Sequence, residues 1–153
     1  MHHRIGTFLD DFEVGLRMLK KEMADKGIPM TLFHNVGDHI TRDNLFAHVY
    51  DIDYHVLFPN DSAIEDRFAN QTIPAGTFLT MCLRSIEVDG RNTEVEGIET
   101  LLCYAEERGL EIAGDYWGQV IGETPLYNFS GRGMAVKLFL PVRVKADRPE
   151  PAA

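Results

Sequence analysis

The residues best suited to grip a small molecule in this chain are aromatic. Phe78, Tyr116 and Trp117 offer flat walls that suit planar or cationic compounds, since a ring gives a large contact area at low entropic cost and a negative π-face. Trp117 is the only tryptophan. Core packing accounts for any one of these rings equally well. A second group lies on residues 45–58, which read as a long β-branched and aromatic strand. Its even positions, Phe46, His48, Tyr50, Ile52, Tyr54, Val56 and Phe58, form an aromatic face. Its odd positions gather Asp51, Asp53 and His55 into a polar patch. Those acids either cover a solvated sheet face or point into a cleft as counter-ions. Tyr50, Asp53 and Met81 join the three rings as candidate ligand contacts.

Other chemistries find less support. Six histidines invite a metal reading. His34 and His39 flank a turn, whereas His48 and His55 are placed on opposite faces of a strand. No pair has helical i, i+4 spacing or cysteine partners, so no metal ligand is expected. Neither Ser85 nor Cys82 sits in a nucleophile elbow. Gly6, Gly37, Gly122 and Gly133 build no phosphate-cradling loop. No catalytic residue and no cofactor are expected, and the chain reads as a binding domain rather than an enzyme.

Composition narrows the partners. A net charge of −9 argues against the chain holding DNA by itself, because phosphate binding needs clustered Lys and Arg. Acidity favours cationic small molecules weakly over long range, or simply maintains solubility. No run of 18 apolar residues spans a membrane and no leader is read, so a cytoplasmic protein is expected. Cys82 and Cys103 then read as two reduced thiols.

The elements that must position these residues follow from periodicity. Residues 10–26 predict a helix, with Phe12, Leu16, Leu19 and Met23 on one stripe and Gly27 as its cap. Met30 to Val36 predicts a short strand, followed by the long strand 45–58 and a polar crossing loop at 59–70. A strand at about 72–88 carries Pro74-Ala75-Gly76 near its start, which suggests an edge or bulge. A second helix at about 93–108 places Val95, Ile98, Leu102 and Ala105 together, with Asn92 or Thr93 as cap and Gly109 as terminator. Strands at about 110–121 and 134–145 follow, then a frayed tail at 146–153.

An offset of 82 positions lays the chain on itself: Gly15, Leu16 and Leu19 fall on Gly97, Ile98 and Leu101, and Gly27 on Gly109. Val56, Phe58 and Pro59 fall on Leu138, Leu140 and Pro141. The expected architecture is α+β: two strand–helix–strand–strand repeats, at about 4–58 and 71–145, joined in one domain over 1–145. They would join in one sheet about a pseudo-two-fold axis. The offset places most of the first repeat's first strand before Met1, so that strand is expected to be largely missing. A ligand would bind in the seam between the repeats.

Several motifs in this order resemble the bacterial GyrI-like effector-binding domains, over nearly the whole chain. They are Arg4-Ile5-Gly6-Thr7-Phe8, Ile73-Pro74-Ala75-Gly76-Thr77-Phe78, Gly109-Leu110-Glu111-Ile112-Ala113-Gly114-Asp115-Tyr116-Trp117, and Lys137-Leu138-Phe139-Leu140-Pro141-Val142. The resemblance implies an antiparallel sheet with two helices on one face, a cleft between the halves and the SOUL-like fold. It also implies a ligand-sensing role, as in MerR- and AraC-type multidrug regulators. Standalone relatives include sequesterers of small molecules, a gyrase inhibitor and hydrolases of cyclopropane compounds.

Many such domains carry a Glu directly after an aromatic on the strand that follows the second helix. Here Gly118 follows Trp117, which removes that carboxylate and weighs against hydrolysis. In a binding cleft Asp51 or Asp53 would replace it, and for hydrolysis Asp53 or Glu87 would have to substitute. The expected partner is therefore an aromatic or cationic small molecule. DNA would be met only through a separate DNA-binding domain, and a homodimer is compatible with the reading. The alternatives are a hydrolase of strained rings, a gyrase-inhibitor-like interaction module and, more distantly, a haem carrier.

Overall fold

The strand order of the sheet reads the same from either edge. The computed structural model describes residues 2–6, 9–32, 35–59, 72–85, 87–88, 91–124 and 133–145. The elements are β1 (His2–Gly6), α1 (Leu9–Asp25), a 3-10 turn (Met30–Leu32), β2 (Asn35–Ile40), α2 (Arg42–Phe46) and β3 (Asp53–Leu57). There follow β4 (Thr77–Ser85), β5 (Glu87–Val88), β6 (Arg91–Asn92), α3 (Thr93–Glu107), β7 (Leu110–Ile112), β8 (Tyr116–Thr124) and β9 (Gly133–Val144). The antiparallel sheet runs β1-β3-β2-β8-β9-β4, with β7 paired to the far end of β9. The fold is α+β.

The midpoint of this order is the β2–β8 pair, where Gly37 lies opposite Gln119, the residue 82 positions further on. The same offset carries the pairing of Gly37 with His55 onto that of Gln119 with Lys137. Cross-strand partners share a face, so register also assigns the two sides of the sheet. Val56, Tyr54, Asp38, Gly118, Leu138 and Met81 lie on one side, and His55, Asp53, His39, Trp117, Phe139 and Phe78 on the other.

Both long helices cover the first side. Leu19 and Met23 of α1 bury against Val56 and Phe58. Ile98, Leu101 and Ala105 of α3 bury against Val136, Leu138 and Leu140. Gly27 and Gly109 end these helices at the same left-handed φ of 65°, which costs a residue with a Cβ about 1 kcal/mol. Gly97 lets α3 settle onto the sheet, because a Cβ there would meet the Leu83 side chain and lie 2.8 Å from Leu138 Cδ1.

Three expectations are corrected. The first strand of the first half is present: β1 pairs with β3, Arg4 opposite His55. Its counterpart is Cys82 opposite Lys137, an offset of 78 rather than 82. The connection to the helix is four residues shorter in the first half, and the longer second connection holds the β5–β6 ribbon. The strand expected from Met30 to Val36 begins only at Asn35, with a 3-10 turn before it, so Met30 is exposed while Ile112 is buried in β7. The long strand 45–58 is interrupted. The Thr41 side chain caps α2 by accepting from the Asn44 amide at 3.3 Å, Leu45 is buried, and β3 starts at Asp53. Most of the crossing loop at 59–70 and the tail at 146–153 lie outside the described residues.

Candidate functional site

Where the two halves meet, the helix-covered face of the sheet holds a buried acidic cluster. Asp38 stands on β2, one residue from the Gly37–Gln119 midpoint, opposite Gly118 on one side and Tyr54 on the other. A Cβ on Gly118 would fall onto Asp38 Oδ1 and lie 3.0 Å from the Tyr116 hydroxyl. The glycine thus makes room for a carboxyl arriving from the neighbouring strand. Glu94 reaches the same place from the first turn of α3, whose start is fixed by the Asn92 side chain accepting from the Glu94 amide at 2.9 Å. The Tyr116 hydroxyl donates to Glu94 Oε1 at 2.7 Å.

The electrostatics of this cluster follow from its burial. Asp38 and Glu94 are both buried. Burial pushes the Asp38 carboxyl well above its usual range, and the Glu94 charge and a side-chain hydrogen bond to Glu94 push it the same way. Asp38 Oδ1 has no hydrogen-bond partner among the described residues. Burial and the two neighbouring acids also raise the Tyr116 and Tyr54 hydroxyls, so both stay protonated donors. The two-fold counterparts of Asp38 and Gly118, offset by 82, are Val120 and Val36. A scaffold that is apolar on one side of its axis carries acids on the other.

The opposite face is different in character. His39, Asp53 and His55 gather there, each with a ligand-type atom within 4.8 Å of the others. Trp117 is buried against them, its ring centroid 4.4 Å from that of His39 and 5.5 Å from that of His55. Alongside lies an open cleft of about 520 Å³, lined by Ile73, Pro74, Phe78, Asp115, Trp117 and Pro141 among others.

The structure therefore divides the sequence candidates between two faces. Tyr116, Gly118 and Met81 are on the helix side, the first two in the acidic cluster and Met81 packed against the core. Tyr50 also packs on the core and donates to Glu99 Oε1 on α3, away from the cluster. Phe78 and Trp117 line the cleft on the other side, and Asp53 stands beside the two histidines.

The space at Gly118 is filled by Asp38, so neither Asp51, which is exposed, nor Asp53 takes it. Asp38 and Glu94 escaped the sequence reading. Asp38 resembles a turn residue after Gly37, and Glu94 resembles any acid in a helical first turn. The only signal was a cross-strand acid opposite a glycine, visible once register is known. No protein-family model, curated protein or solved structure matches the chain. No described helix is long and apolar enough to cross a membrane.

Proposed function

We propose that this chain is a small-molecule-binding domain that senses an aromatic cation, with Asp38 as the anchoring acid. The observation that carries the reading is the buried Asp38 carboxyl, whose Oδ1 has no hydrogen-bond partner among the described residues and which is pressed into the volume left by Gly118. A buried acid costs stability and is retained where it has work to do. A ligand cation would take the place of the Asp38 proton, beside the half-buried Tyr54 on the neighbouring strand. This agrees with the GyrI-like resemblance, in which an effector domain of a cytoplasmic regulator grips cationic compounds between its halves. Such a ligand biases an attached DNA-binding partner only through different affinity for two states. The test is Trp117 fluorescence titrated with cationic dyes and aromatic drugs. Saturable binding that weakens at least tenfold in Asp38→Asn supports the reading, and a flat response across the panel contradicts it.

The same observation favours a second reading as a hydrolase of strained rings. The missing carboxylate at position 118 weighed against that activity, and Asp38 restores an acid there. A protonated Asp38 would give its proton to the carbon released on ring opening, while Glu94 takes one from the attacking water. Turnover of a cyclopropane-bearing substrate that disappears in Asp38→Asn would establish it, and no turnover by the wild type would remove it.

A further inference from the structure

We propose that the face of the sheet opposite α1 and α3 holds one divalent transition-metal ion, of the zinc class, on His39, Asp53 and His55. Their grouping is produced by strand register rather than by sequence spacing. His39 of β2 is the direct partner of Asp53 in β3, and His55 stands two residues along the same strand opposite Gly37. All three side chains therefore leave one face, with one donor atom of each inside a 4.8 Å circle. Two imidazoles and a carboxylate form a borderline donor set suited to Zn²⁺, Co²⁺, Ni²⁺ or Fe²⁺, and poorly suited to Mg²⁺ or Ca²⁺.

The surroundings match what a metal-binding histidine requires. Asp115 Oδ2 lies 2.9 Å from His39 Nε2, and the backbone amide of Arg42 donates to Asp115 Oδ1 at 2.8 Å. The carboxylate is thus held in place and orients the imidazole; this is the carboxylate–histidine arrangement that positions metal ligands. Trp117 restrains both rings from the side, and His39 and His55 are themselves buried. Asp115 and Trp117 also line the 520 Å³ cleft. Three protein donors leave a coordination position for water or an anionic small molecule, and the cleft adjoins the group through Asp115 and Trp117.

The experiment uses the full chain with His2 and His3 changed to Ala, because adjacent histidines chelate metal unaided. Metal-free protein is titrated with Co²⁺ and Zn²⁺, with Trp117 emission, calorimetry and thermal melting as readouts. The expected result is one equivalent bound at micromolar affinity or tighter, with Trp117 quenched by Co²⁺ and the melting temperature raised by Zn²⁺. Asp53→Ala, at a half-buried position, weakens binding at least tenfold; Asp115→Asn weakens it less, and His48→Ala leaves it unchanged. Circular dichroism confirms that Asp53→Ala is folded. Binding no tighter than millimolar, or micromolar binding that Asp53→Ala leaves intact, overturns the proposal.

Discussion

Asp38 Oδ1 occupies the volume in which a side chain at Gly118 would begin. The two residues are cross-strand partners next to the centre of the sheet. A glycine on one strand and an acid on the other thus share one volume, and a side chain at 118 must displace the acid.

Gly118→Ala forces the Asp38 carboxyl out of a packed site, and overpacking of this kind costs about 1–3 kcal/mol. Asp38→Ala removes the obstacle. In a double-mutant cycle the pair should couple by about 1 kcal/mol or more, the double variant being less destabilised than the sum of the singles. Urea midpoints at unchanged m-value measure this.

The pH dependence of stability should carry the mark of Asp38. Its carboxyl is raised in the folded chain by burial first and then by Glu94, with Tyr54 and Tyr116 as the other titratable neighbours. Between the ordinary carboxyl pKa and the raised folded value, the folded state holds a proton that the unfolded state has lost. Its stabilising contribution is therefore complete below about pH 4 and declines as pH rises, with a slope approaching about 1.4 kcal/mol per pH unit. Asp38→Asn should flatten that slope and be more stable than wild type at pH 8. Denaturation midpoints from pH 5 to 8 for both proteins are the check.

Tyr116→Phe keeps the ring and removes the hydroxyl that donates to Glu94 at 2.7 Å. Leaving the buried Glu94 short of a donor should cost about 1–3 kcal/mol. It should also move the Asp38-dependent slope, because the shared acid loses a partner; thermal melts over the same pH range report both effects.

Gly97→Ala sets helix propensity against contact. Alanine is favoured over glycine by about 1 kcal/mol inside a helix. Its Cβ would meet Leu83 and Leu138, however, and overpacking in a core costs about 1–3 kcal/mol. Because α3 is flush against β4 and β9 there, the contact should win and the variant should unfold at lower urea.

How far the sequence could be read depended on how local each signal was. Helices α1 and α3 were legible because Leu19, Met23, Ile98 and Ala105 recur at helical spacing before a glycine that takes the left-handed cap. The parity of residues 53–57 was legible too, since Tyr54 and Val56 lie opposite in sense to Asp53 and His55. Helix α2 was not: the aromatic and β-branched run after Leu45 looked like strand and hid the capping hydroxyl of Thr41. The Asp38–Gly118 unit and the His39–Asp53–His55 group depend on which residues face each other across strands. Loop lengths set that register, and no local periodicity encodes it.

The most direct measurement of the central claim is the number of protons exchanged when an aromatic cation from the dye panel binds. Calorimetry at pH 7 in two buffers of different ionisation enthalpy reads it. If the cation replaces the Asp38 proton, protons are released on binding, affinity rises with pH, and Asp38→Asn binds weakly with no release. Tight binding with no proton release in wild type, unchanged in Asp38→Asn, would contradict the account.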